Sequence, residues 1–111
     1  MALLEKAAGQ GHVHAMYELG CIYKLWKEHE RAVEWITKGA EAGLPKAMFN
    51  LGGSLDVGEG VAAPDYPAAA GWYRRAAVNG VTAAAQNLSG MYAVGRGKGV
   101  LLRRNTQPTL S

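Results

Sequence analysis

Three groups of residues in this chain are of types that do chemistry. The first is H-V-H at His12–His14 with Cys21, nitrogen and sulfur donors of the kind that hold zinc. On a helix, residues i and i+2 face different ways. His14 and Cys21 stand seven apart, about 10 Å along a helix axis, too far to share one ion. The second is G-R-G-K-G at Gly95–Gly99, which has the look of a phosphate cradle. It follows a helical pattern and lacks both the spacing and the Ser or Thr of a P-loop, so it reads as a turn. The third is the pair of hydroxyls Ser54 and Ser89, with which no base and orienter stand at a recognisable spacing. The residues therefore predict no metal, no cofactor and no enzymatic activity, and leave binding as the function to look for.

The elements that would position any binding residue are set by a repeat. The stretch A-E-A-G-L-P-K-A-M-F-N-L-G, Ala40–Gly52, is one copy. Counted from Gly43, Ala40 lies three before, Ala47 four after, Leu51 eight after and Gly52 nine after. The same places around Gly11 hold Ala8, Ala15, Leu19 and Gly20, and around Gly80 they hold Ala77, Ala84, Leu88 and Ser89. Glycine closes a helix in the left-handed conformation, and Pro45 stands where a new first turn needs no N–H, so each of these glycines is a corner between two helices. A small residue at the ninth place lets a neighbouring helix approach closely.

Helices follow in order. Leu3, Leu4, Ala7 and Ala8 share one face of a short helix ending at Gly9–Gly11. Ala15, Leu19, Ile22 and Tyr23 mark a helix over roughly His12 to Trp26. After a turn at Lys27–His29, Ala32, Trp35, Ile36, Gly39 and Ala40 mark another. Pro45 to about Val57 repeats the first type. The connection G-E-G-V-A-A-P leads to Asp65, an N-cap with a side-chain oxygen for free backbone N–H groups. Ala69, Trp72, Tyr73, Ala76 and Ala77 repeat the second type, and Thr82 to about Val94 carries Ala84, Leu88, Met91 and Tyr92. The corner glycines are 32 and then 37 residues apart, a spacing that suits two-helix solenoid repeats. Leu3, Leu19, Trp35, Leu51, Trp72, Leu88 and Tyr92 are expected to form one continuous core. The pattern also predicts a piece of a longer array with apolar open ends, through which the chain self-associates.

Composition is consistent with packed helices: nearly half the residues are apolar, with much Ala and Gly and no strand-like alternation. The net charge of +3 is local. Arg96, Lys98, Arg103 and Arg104 supply four of the twelve basic residues, and the remaining eight are outnumbered by nine acidic ones. Cys21 is the only cysteine, which excludes an internal disulfide and points to an intracellular, cytoplasmic location. No segment approaches the ~20 apolar residues that cross a bilayer, so no membrane association is expected.

Y-E-L-G-C-I-Y, F-N-L-G with G-E-G-V-A-A-P-D-Y, and A-A-G-W-Y-R-R-A-A-V-N-G resemble the SEL-one-like repeat, a relative of the tetratricopeptide repeat. The resemblance spans roughly residues 1–100 as a repeat domain, with 101–111 left as an irregular basic tail. It implies an all-α fold, a right-handed α/α superhelix of antiparallel helix pairs, serving as an adaptor in protein complexes. The first full copy departs from the pattern in lacking the G-x-G-V loop, the second in having Leu55 where Tyr is usual, and the third in losing its second helix.

Two functions follow. One is a scaffold for a protein or peptide partner, since repeat stacks present extended surfaces. The other is a nucleic-acid or acidic-surface binder acting through Arg96, Lys98, Arg103 and Arg104, for which a solvated tail is the plain alternative. For the scaffold, a second stripe on the first helices, three, six, ten and thirteen after each corner glycine, is free of the core. Its candidate site residues are His14, Tyr17, Cys21 and Lys24, then Lys46, Phe49 and Asp56, then Gln86. In the related tetratricopeptide repeats this stripe lines the inner groove. Tyr17 and Phe49 suit an apolar anchor and His14, Lys24 and Lys46 suit carboxylates, with Asp56 opposing; alternatively the two aromatics pack against the adjacent repeat.

Overall fold

The computed structural model describes residues 2–93, and every regular element among them is an α-helix. They are α1 (Ala2–Gly9), α2 (Val13–Leu25), α3 (His29–Glu41), α4 (Pro45–Val57), α5 (Tyr66–Val78) and α6 (Thr82–Ala93). Each packs on the next in sequence, most extensively α2 on α3 and α4 on α5. The fold is an all-α helical repeat solenoid.

The corners have the expected chemistry. Gly11, Gly43 and Gly80 have φ of +91°, +102° and +98°. At Gly43 the backbone N–H donates to the Ala40 carbonyl at 3.0 Å and the Leu44 N–H to the Gly39 carbonyl at 3.1 Å, which satisfies acceptors the helix end leaves open. The corresponding pairs of bonds recur at Gly11 with His12 and at Gly80 with Val81. The α2–α3 turn closes in the same way on a lysine, Lys27, at φ +62°. Pro45 is the first residue of α4, and the Asp65 carboxylate accepts from the Ala68 N–H at 3.2 Å, capping α5.

Small residues set the helix spacing. A Cβ placed on Gly20 would strike Ile36, and one on Gly52 would lie 2.7 Å from the Tyr73 ring. Gly53, one residue on, has only the Tyr73 hydroxyl at 3.7 Å. The neighbouring glycines therefore predict opposite outcomes in urea denaturation. Gly53→Ala gains helix propensity of about 0.5–1 kcal/mol, whereas Gly52→Ala forces the ring to move and costs about 1–3 kcal/mol. Equal shifts of the two midpoints would contradict this packing.

The buried residues form two clusters rather than the single core expected. Ala8, Ala15, Leu19, Tyr23 and Ala32 make one, across α1 to α3; the other runs from Ile36 through Ala47, Leu51, Tyr73 and Ala84 to Met91. Gly39 lies where α3 meets both α2 and α4: a Cβ on it would be 3.2 Å from that of Ala47 and 3.9 Å from the Tyr17 backbone nitrogen. Leu19 and Leu51 are buried as expected, whereas Leu88 and Tyr92 are half-buried. Trp35 and Trp72 are also half-buried, because the next residue round each helix, Ile36 or Tyr73, takes the enclosed slot. Each indole lies at the rim under a cation, the Lys38 Nζ 4.4 Å and the Arg75 guanidinium 4.5 Å from the ring centroid. Leu3 is 84% exposed, since it holds in α1 the rim place of those tryptophans.

Polar ties run between successive repeats at one place. The Tyr23 hydroxyl donates to the Glu5 carboxylate at 3.2 Å, and the Arg74 guanidinium donates to the Tyr92 hydroxyl at 2.7 Å. In both, the tyrosine is twelve residues after a corner glycine and its partner six before it.

Candidate binding groove

The candidate residues stand on the three helices that follow corner glycines, α2, α4 and α6. Helical periodicity leaves their second stripe outside the core contacts, so these side chains share a face only if α2 and α4 lie side by side. They do, and hydrogen bonds cross directly between them. The Asn50 amide nitrogen on α4 donates to the Tyr17 hydroxyl on α2 at 3.2 Å, and the Lys24 ammonium on α2 donates to the Asn50 amide oxygen at 3.4 Å. The same Asn50 nitrogen also donates to the backbone carbonyl of Lys46 at 3.0 Å, one turn back on its own helix. Both halves of the amide are therefore fixed in orientation by three partners.

Cys21 adjoins this network, one turn from Tyr17. Burial first, and then the Cys21 thiol beside it, push the Tyr17 phenol above its ordinary value, while the Asn50 amide pulls it back. The hydroxyl therefore stays neutral throughout the physiological range, as a hydrogen-bonding group and not an anion. Lys24 is half-buried, with its charge held beside a neutral amide; Lys46 and His14 are exposed on the same two helices.

The structure thus brings together Tyr17, Cys21, Lys24 and, through its backbone, Lys46. Phe49 has a different environment. Its ring lies 5.9 Å from that of Tyr73, tilted by 44°, and it packs against the larger core cluster. Tyr17 likewise rests in part against that cluster. Asp56 is half-buried near the end of α4 and Gln86 is exposed on α6. Asn50 escaped the sequence reading because it lies seven after its corner, beside the stripe. Asn87 occupies the same place in the next copy, and that recurrence is the signal that would have found it.

Among the described residues, no group of three or more His, Cys, Asp or Glu side chains is disposed to hold a metal, and no helix is long and apolar enough to cross a membrane. The basic residues Arg96, Lys98, Arg103 and Arg104, the G-R-G-K-G turn and the 101–111 tail lie outside the described residues.

Solved structures similar to this chain include two repeat proteins. One is a protective antigen present in uropathogenic Escherichia coli strains and displaying an SLR fold. It is 41% identical, with a TM-score of 0.80 over 86% of this chain and 21% of that one. The other is a Sel1 repeat protein from Oxalobacter formigenes, 35% identical, with a TM-score of 0.80 over 85% of this chain and 40% of that one. The chain thus spans about a fifth and two-fifths of these proteins. Comparison with curated proteins gives no match. The Sel1 repeat pattern matches residues 1–12, 13–25, 27–44, 45–81 and 83–107, nearly the whole chain. Helix pairs joined at left-handed glycines, close packing at glycines nine residues on, and this pattern match lead to one conclusion: the chain belongs to the Sel1 repeat family.

Proposed function

We propose that the chain is a non-enzymatic interaction module that takes a protein or peptide segment along the α2–α4–α6 face. Sel1 repeats generally mediate protein–protein interactions. The observation that carries the reading for this chain is the Tyr17–Asn50–Lys24 network. It fixes an ammonium, a neutral hydroxyl and an amide on a surface spanning two repeats. Preorganised polar groups of this kind bind a partner without having to be ordered at the moment of contact. Phe49 and the inner edge of Tyr17 support the surface from the core side and contribute apolar contact only at its floor.

The test is retention of proteins from cell extract by the intact chain and by a Lys24→Glu, Lys46→Glu variant whose helical circular dichroism and urea midpoint are unchanged. Lys46 is exposed and Lys24 half-buried, so the circular dichroism and the urea midpoint are read before the binding. The expected outcome is loss of the retained proteins, with affinity for a purified one falling at least about tenfold, as reversing a contacted charge produces. Equal retention by both chains would remove the groove from consideration.

A further inference from the structure

Every Lys and Arg on α3 and α5 is engaged by the fold. Arg31 lies 3.5 Å from the Glu28 carboxylate and 5.7 Å from the centroid of the Tyr23 ring, Lys38 and Arg75 cover the Trp35 and Trp72 rings, and Arg74 donates to the Tyr92 hydroxyl. The helices of the groove differ. α2 and α4 carry one lysine each, Lys24 and Lys46, and α6 carries neither Lys nor Arg. Among the described residues neither of these two lysines has a carboxylate or a ring for a partner. Glu18 and Asp56 are carboxylates on the same two helices, and neither pairs with Lys24 or Lys46.

One amide links the two lysines. The Asn50 oxygen accepts from the Lys24 ammonium, and the Asn50 nitrogen donates to the Lys46 carbonyl. That bond uses one of the three N–H donors of Lys24 and leaves its charge facing a neutral group. The amide's own two donors are both taken, by the Tyr17 hydroxyl and the Lys46 carbonyl. Asn50 is therefore a positioning residue. An ammonium held in place before contact loses less side-chain entropy when it forms an ion pair, and one half withdrawn from water is less screened than an exposed one.

We propose that the α2–α4 surface takes an acidic peptide segment, with one Asp or Glu carboxylate on the Lys24 ammonium and another on that of Lys46. The inference rests on the groove being the binding face and names the chemistry of its partner. Two ammonium groups on adjacent helices call for two carboxylates, whereas a chain terminus brings one. A nucleic acid fits less well. Outside Arg96, Lys98, Arg103 and Arg104 the chain has eight basic residues against nine acidic ones, so a polyanion meets repulsion over most of its length.

Binding of the full chain to immobilised short peptides of random sequence tests this. The retained peptides are expected to carry two or more Asp or Glu residues. Changing these to Asn and Gln should weaken binding at least about tenfold, and so should raising the salt from about 0.05 to 0.5 M. A Lys24→Glu, Lys46→Glu chain should lose those peptides and gain counterparts with Lys in place of each carboxylate, a reversal that loss of folding cannot produce. Asn50→Asp gives Lys24 a carboxylate from within, and should weaken the acidic peptides with both lysines intact and the circular dichroism unchanged. Retained peptides without carboxylates, no retained peptide, affinity unmoved by the amide change or by Asn50→Asp, or a thymidine oligonucleotide that binds more tightly and is lost with the same two lysines would each overturn the acidic partner. Where binding of a different chemistry is still lost with the lysines, the groove stands; equal binding by wild type and the double lysine variant removes both.

Discussion

Truncating Tyr73 to alanine is expected to destabilise the fold by about 3–5 kcal/mol. The ring is 1% exposed, the largest of the fully buried side chains, and lies against Gly52 on one helix and Phe49 one turn earlier on it. A helix pair held apart by that ring cannot collapse onto the space it leaves without breaking the contacts of the whole larger cluster. Against a total stability of roughly 5–15 kcal/mol, such a loss brings the chain near its unfolding midpoint in water. The neighbouring indole provides the contrast. Trp72 is half-buried at the rim with the Arg75 guanidinium over its face, so Trp72→Ala is expected to cost about 1–2 kcal/mol, part burial and part cation–π contact. Urea unfolding followed by circular dichroism reads both. Equal losses, or the larger one at Trp72, would mean that the wrong aromatic has been placed in the core.

The second large effect is expected at Gly60, in the connection between α4 and α5. Its φ is +79°, a conformation in which a side chain costs about 1 kcal/mol or more. A Cβ there would also strike the His29 backbone carbonyl and lie 2.6 Å from a Val33 methyl on α3. Backbone cannot rotate aside as a flexible side chain can. Gly60→Ala is therefore expected to cost about 2–4 kcal/mol, summing the conformational and overpacking terms. Beside this contact the Glu59 carboxylate lies 3.7 Å from the His29 Nδ1, and a cleft of about 440 Å³ opens between Lys27, Arg31 and Val61. The loop thus rests on the start of the preceding repeat's second helix. Hydrogen exchange should show His29–Val33 losing protection in the variant along with the loop itself. A variant as stable as the wild type, with those amides unchanged, would show that the loop is not seated on α3.

The fold was legible in the residues because a solenoid is built from local rules. The left-handed glycine at each corner, the proline opening α4, the Asp65 cap and the stripe on α3 are all decided within a few residues of one another, so spacing alone reveals them. The repeat also showed why Gly20 and Gly52 are glycine, since a place that recurs as the smallest residue marks a helix crossing. What spacing left open is the angular position of one residue against the next. Trp35 and Ile36, or Trp72 and Tyr73, are both on the apolar side of their helices, and a helical wheel separates each pair by about 100°. Which of them is enclosed depends on where the neighbouring helix lies, and that is a property of the packed array. The candidate groove divides for the same reason. Tyr17, Cys21 and Lys24 share one helix face by periodicity alone, whereas Asn50 joins them only because α4 comes alongside α2, and Phe49 leaves them only because Tyr73 of α5 is within reach. The sequence by itself determined the helices, their corners and their pairing, because these rest on backbone chemistry between near neighbours. Tertiary structure alone decided which aromatic is core, which polar groups meet across repeats, and where the buried residues part into two clusters, because those outcomes depend on distances between residues far apart in the chain.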